Sequence, residues 1–172
     1  YAKATLLDDR AAAAGELIYL VLRELGIPMM PELAEALYVA LSTDTGCFVY
    51  GNTTAETHEA AAEIMRFGAN YQWLNRELFR MDSLARLKLE GMIFSSLHSY
   101  RGGVINFATV TLDMMEKAGA TENDCDDLAS LAGRVEGSYV SATLRELGPK
   151  ECKVSLRSGE MFDSSAMCIQ PS

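Results

Sequence analysis

The sequence predicts an α/β chain in two parts, a mostly helical first half followed by a smaller part that contains strands. Three observations predict it. Apolar positions recur at helical spacing, bounded by helix-start and helix-stop residues, up to about His98. At Arg101-Gly102-Gly103 the pattern breaks, and the β-branched, aromatic run Val104-Ile105-Asn106-Phe107-Ala108-Thr109-Val110 follows. Two further strand candidates, Ser138 to Glu146 and Glu151 to Leu156, are joined by Leu147-Gly148-Pro149-Lys150 and read as a hairpin.

Asp8 and Asp9 precede a helical stretch from about Ala11 to Leu25, whose apolar face includes Leu17, Ile18, Val21, Leu22 and Leu25. Gly26 and then Pro28 end it in the usual order of glycine cap and proline. Pro31-Glu32 opens a second helix, proline sitting early where its missing N–H costs nothing. Phe48 to Tyr50 reads as a short extended piece. Thr53-Thr54-Ala55-Glu56 has the form of a capping box, Thr53 accepting from the backbone and Glu56 reaching back, for a helix that ends near Phe67-Gly68. Tyr71 to Arg80 is a further helix, and Ser83 to about His98 another that can connect two domains. Beyond Val110, helical stretches are expected at Leu112 to Lys117 and Asp124 to Arg134.

At 172 residues with 49% hydrophobic content the chain can bury a core, as one large domain or one and a half smaller ones. The longest nearly uncharged apolar stretch, Ala36 to Val49, is interrupted by Asp44 and is too short for a membrane span. The first residue is Tyr and nothing resembles a signal peptide, so the N-terminus reads as an interior point of a longer protein. Four scattered cysteines without a C-x-x-C pair, and only two histidines, exclude a structural zinc site and suit a reducing cytoplasm. A net charge of −9 excludes a protein that coats long duplex nucleic acid, while leaving room for a small anionic substrate gripped locally.

One feature stands out: Asp44-Thr45-Gly46 follows a run, Leu33 through Leu41, that carries a single charge at Glu35. Asp44 then lies at a helix C-terminus inside an apolar shell, where the macrodipole disfavours a further anion unless a cation offsets it. Three other readings remain open on spacing alone. Gly46 and Thr45 can serve as an ordinary helix end; Asp44 can pair with a buried arginine; and Asp-Thr-Gly also occurs in aspartic proteases, which need a strand-rich fold and a second copy or a symmetric dimer.

Four segments in order change the weighting: Ala12-Ala13-Ala14-Gly15-Glu16-Leu17-Ile18-Tyr19; Ala36 through Asp44-Thr45-Gly46-Cys47-Phe48; Asn52-Thr53-Thr54-Ala55-Glu56-Thr57; and Val154-Ser155-Leu156-Arg157-Ser158. Together they resemble the DHH phosphoesterases, in particular the short bacterial oligoribonuclease and 3′-phosphoadenosine-5′-phosphate phosphatase type, over nearly the whole chain. The resemblance implies an α/β fold with three parts. Residues 1–80 would be the C-terminal, mostly helical part of a DHH parallel-sheet domain, 81–101 a linker helix, and 102–172 a smaller α/β substrate-binding domain.

It also implies a hydrolase with two manganese ions, acting on a short oligonucleotide or a nucleoside bisphosphate, with a cyclic dinucleotide as the alternative substrate. A non-catalytic interaction module that keeps the fold is the competing class, and a homodimer is one assembly compatible with either. By resemblance Asp44 is a metal ligand and catalytic, Thr43 and Thr45 orient its carboxylate or simply close the helix, and Arg157-Ser158 with Lys153 on the same strand face grips substrate phosphate. The Asp-His-His and Asp-x-Asp motifs would lie upstream of Tyr1, so the chain as it stands is expected to be nearly inactive. Asp163 and Ala166-Met167 begin the family's next pattern, without its glycines. His58 reads as a surface residue, His98 as a helix C-terminal residue, Lys150 as a turn residue, and Tyr71 and Trp73 as packing under the linker.

Overall fold

The computed structural model describes residues 4–159. Asp163, Ala166 and Met167 lie outside the described residues. The chain divides into two compact units, one ending at Met81 and the other beginning at Asp82.

The first unit is helical: α1 (Ala14–Glu24), α2 (Pro31–Asp44), α3 (Ala55–Arg66) and α4 (Tyr71–Phe79). Pro31 occupies the first turn of α2, as its sequence position requires. Helix α2 is the central element, because Ala34, Leu37, Tyr38 and Leu41 are buried against Tyr19 of α1, Ala60, Ala61 and Ile64 of α3, and Leu74 of α4. Gly15 permits close approach of α1 to α2. A Cβ there would sit 2.7 Å from the Cβ of Ala40.

Two local expectations fail in this unit. Phe48 to Tyr50 is not extended: Gly46, Cys47 and Phe48 all have positive φ (56°, 58° and 66°), so the chain turns back on itself. The capping box lies one residue later than the spacing suggests. Thr54 is the cap, accepting from the Thr57 N–H, while the Thr57 hydroxyl reaches back to the Thr54 N–H. Threonine at the third helical position replaces the usual Glu or Gln, which misplaced the box on Glu56.

The second unit contains α5 (Leu84–Ser95), β1 (His98–Tyr100), β2 (Ile105–Val110), α6 (Leu112–Ala118), two short 3₁₀ segments (Glu122–Cys125 and Leu128–Arg134), β3 (Val140–Gly148) and β4 (Glu151–Ser158). The sheet order is β1-β2-β3-β4. The β1/β2 and β3/β4 pairs are antiparallel, and β2/β3 is parallel, joined by the crossover through α6. The expected β3–β4 hairpin is present, with Gly148 opposite Glu151 and Lys150 in the turn at φ 68°. Strand alternation puts Ala108 and Val110 on the covered face, where Leu89 and Ile93 of α5 and Leu128, Leu131 and Ala132 of the second 3₁₀ segment form the core.

The stretch expected to be a linker thus packs as a core helix of its own unit. Arg86 fixes it there, pairing with Asp82 and Glu90 and donating to the Asp126 carbonyl at 2.7 Å. His98 is a correction: it begins β1, opposite Phe107, instead of ending the helix. Three strand residues directly behind an apolar helix carry too little periodicity to be separated from it. Asp124 to Arg134 is two 3₁₀ pieces, split where Asp127 turns left-handed at φ 56°. Trp73 is 54% exposed, and Tyr71 packs on the Tyr38 ring of α2 within the first unit, a different neighbour from the expected linker.

Candidate functional site

Asp44 is the last residue of α2. Its predecessors Leu41 and Ser42 are fully buried, yet Asp44 itself has emerged past the core and is exposed. The expectation of an apolar shell around this carboxylate is therefore corrected. The helix end, not burial, makes the position unfavourable for an anion. Among the described residues no hydrogen bond or ion pair occupies the carboxylate, which leaves both oxygens available.

The loop after Asp44 is tightly organised. The Thr45 hydroxyl, fully buried, donates to the Leu41 carbonyl at 2.6 Å and accepts from the Phe48 N–H at 3.0 Å. Thr43 donates to the Val39 carbonyl at 2.8 Å. Of the two roles open to these hydroxyls, orienting the Asp44 carboxylate or closing the helix, both make the helix-closing bonds, because each lies one turn beyond a carbonyl it can reach. Gly46 is required by shape: at φ 56° a Cβ would meet the Tyr50 ring at 2.4 Å. His58 stacks on Phe48, centroids 5.2 Å apart, on the exposed side of α3.

Asn52 opens the Asn52-Thr53-Thr54-Ala55-Glu56-Thr57 segment, and the sequence alone gives it no role. Its side-chain N–H₂ donates to the Asp44 carbonyl and the Ala12 carbonyl, 3.1 Å each. The Ala12 N–H in turn donates to the Glu16 carboxylate at 3.1 Å, and Glu16, buried, accepts from the Thr57 hydroxyl at 3.3 Å. The signal was an asparagine straight after a turn, too common to carry weight by itself.

Within the second unit, β4 presents Lys153, Ser155 and Arg157 on one face. Their partners across the ladder are Arg145, Thr143 and Ser141. All of these except Ser141 line a cavity of about 320 Å³, together with the acidic Glu122, Asp126 and Asp127. Arg157 and Ser158 share a second cavity, about 240 Å³, with Ser138, Tyr139 and Ser141 at the end of the strands. Arg145 is ion-paired with Glu122, which also takes one acidic group of the larger cavity out of play. Lys153 and Arg157 form no ion pair among the described residues. Each of these cations can hold a phosphate, Lys153 by charge and Arg157 by charge and the guanidinium fork.

As for a metal, the donor chemistry fits only in part. A free carboxylate supplies a hard oxygen, which suits manganese or magnesium. Among the described residues, however, no three His, Cys, Asp or Glu side chains are grouped, so Asp44 can be one ligand and no more. No helix of the described residues is long and apolar enough to cross a membrane.

No family model matches the chain. It is 36% identical over 154 residues to a bifunctional oligoribonuclease and PAP phosphatase NrnA of Thermus thermophilus, covering 89% of the chain and 45% of that protein. A protein of the same name from Bacillus subtilis is 28% identical over 134 residues, 76% of the chain and 42% of the relative. A probable one from Streptococcus mutans is 25% identical over 92% of the chain and 50% of the relative. The chain spans about half the length of the curated relatives it matches. The crystal structure of an exopolyphosphatase-related protein from Bacteroides fragilis superposes with a TM-score of 0.87 at 23% identity, covering 96% of the chain and 49% of that protein, which shows a shared fold. Four sequence segments in order, the shared α/β fold and 36% identity to a curated relative over 89% of the chain together support the resemblance to the DHH phosphoesterases.

Proposed function

We propose that the protein is a manganese-dependent phosphoesterase that hydrolyses short oligonucleotides or nucleoside 3′,5′-bisphosphates. The observation that carries the reading is the exposed Asp44 carboxylate at the end of α2, without a partner among the described residues, in a chain whose curated relatives are named oligoribonuclease and PAP phosphatase. When bound, a pair of manganese ions would activate water for in-line attack at phosphorus. Asp44 would supply one oxygen ligand, and its place at the negative end of the helix dipole strengthens its demand for a cation.

Arg157 and Ser158 hold a substrate phosphate in this reading. Lys153 lies four residues away on the same strand face, about 13 Å at the usual strand rise. It therefore reaches a phosphate beyond the one that Arg157 grips, which favours a short strand over a single nucleotide. The free thiols of Cys47 and Cys125 support a reducing, cytoplasmic setting.

The test is release of mononucleotide from a trinucleotide, and of phosphate from a nucleoside bisphosphate, by the full-length protein with and without manganese. Arg157→Ala is expected to raise KM for both substrates by about tenfold, the cost of about one charge-assisted hydrogen bond. Absence of manganese-dependent release from either substrate would move the reading to a non-catalytic module.

A further inference from the structure

We propose that Asn52 is a positioning residue for Asp44, tying the end of α2 to Ala12, just ahead of α1, so that the carboxylate is presented in one direction. The inference rests on the reading of Asp44 as a metal ligand. Asp44 is the last residue of α2, so its carbonyl is among the four that a helix leaves without an internal partner. Asn52 supplies that partner. One N–H of its amide reaches the Asp44 carbonyl and the other the Ala12 carbonyl, so that a single planar group bridges two segments 32 residues apart in sequence (44 − 12).

The far anchor is itself held. Ala12 is buried, its N–H is taken by Glu16, and Glu16 is held by Thr57 in the first turn of α3. The near anchor is delivered by the left-handed turn at Gly46, Cys47 and Phe48, locked by the Val49 and Tyr50 N–H groups on the Thr45 carbonyl, 3.0 Å each. Three helices thus converge, through Asn52, on the main chain of one exposed carboxylate. Asparagine is the residue that can do this: its amide offers two N–H donors in one plane on a short stem, whereas serine offers one donor and aspartate none.

A merely structural cap would make the same bonds, so the test reads metal affinity as well as stability. Manganese binding to the full-length protein, followed by the electron paramagnetic resonance signal of the free ion, is measured for the wild type, Asn52→Ala, Asp44→Ala and the double variant. Asn70→Ala serves as the control, because Asn70 caps α4 through its side chain in the same unit. Asn52→Ala is expected to weaken manganese binding about tenfold, as loss of a group that orients a ligand does. The same substitution in an Asp44→Ala background is expected to add less than about twofold, since coupled sites are not additive. Asn70→Ala is expected to lower the unfolding midpoint and leave manganese binding within about twofold of wild type, as a lost cap should.

If Asn52→Ala does not fold, Asn52→Ser, which retains one donor, is expected to give an intermediate loss of affinity. Weakened binding in Asp44→Ala with unchanged binding in Asn52→Ala would overturn the proposal and leave the reading of Asp44 standing. Unchanged binding in Asp44→Ala would overturn both.

Discussion

Replacing Gly15 with alanine forces a methyl group into the closest contact between α1 and α2. The new Cβ would lie 2.7 Å from the Ala40 Cβ and 3.2 Å from Leu41 Cδ1. Neither obstacle can swing aside, since the Ala40 Cβ is fixed to its helix and Leu41 is fully buried. Gly15 does not have positive φ, so alanine is locally welcome and gains about 1 kcal/mol of helix propensity. Overpacking costs about 1–3 kcal/mol, and rigid obstacles place this site at the upper end. The helices must separate, and the net loss expected is about 2 kcal/mol.

Ala40→Gly alone loses about 1 kcal/mol of helix propensity. It also removes the obstacle, so in the double variant the helix propensity gained at one site cancels that lost at the other, and it should be about as stable as wild type instead of losing the additive sum of about 3 kcal/mol, a coupling of about 3 kcal/mol. Urea unfolding of the full-length protein, followed by circular dichroism, measures all four corners of this cycle. A Gly15→Ala variant as stable as wild type, or four corners that simply add, would refute the account of the contact.

Gly46→Ala is expected to cost about 1–2 kcal/mol in the same assay, chiefly from left-handed backbone, because the Tyr50 ring it would strike is 57% exposed and can move away. Tyr50→Ala should therefore not rescue it, and full rescue would show that the ring, not the backbone, was the obstacle. Asp124, held below its usual carboxylate value by hydrogen bonds from Ser83 and Thr121, contributes stability that is fully present above pH 3.8 and is lost as pH falls through its lower folded value. The unfolding-midpoint gap between wild type and Asp124→Asn should shrink on acidification below that point; a gap constant down to pH 2 would contradict it. Lys153→Ala is expected to slow hydrolysis of a trinucleotide about threefold or more while changing a nucleoside bisphosphate little, because about 13 Å separates it from Arg157 along β4. Equal effects on both substrates would place Lys153 on the first phosphate.

Much of the fold was legible because its elements carry strong local signals. Pro31 at a helix start, glycine then proline after α1, and the β-branched run before Val110 each lead to a single local structure. What escaped was decided by tertiary contacts or by very few residues. β1 is three residues long, and its pairing with Phe107, Asn106 and Ile105 depends on the Arg101-Gly102-Gly103 turn. The loop after Asp44 reads as extended from its β-branched and aromatic residues, but three successive left-handed residues, buttressed by Thr45, override that preference.

The site divides in the same way. Asp44, Arg157 and Ser158 came from segments that resemble a family, and spacing alone left each with an ordinary structural explanation. The roles of Thr43 and Thr45 could not be settled in sequence, since a threonine near a helix end can orient a neighbour or bond the previous turn, and here both bond the previous turn. Asn52 was invisible as a bridge because its two acceptors, the carbonyls of Ala12 and Asp44, are main-chain atoms, brought together only by the packing of α1 against α2.

The central claim, that Asp44 supplies a ligand to the metal that drives phosphoester hydrolysis, is tested most directly by manganese-dependent release of mononucleotide from a trinucleotide by the full-length protein, wild type against Asp44→Asn. The substitution keeps the shape and removes the charge. Activity should fall by more than the roughly 10–100-fold that loss of an outer hydrogen-bond partner costs. Activity equal to wild type at the same manganese concentration would contradict the claim.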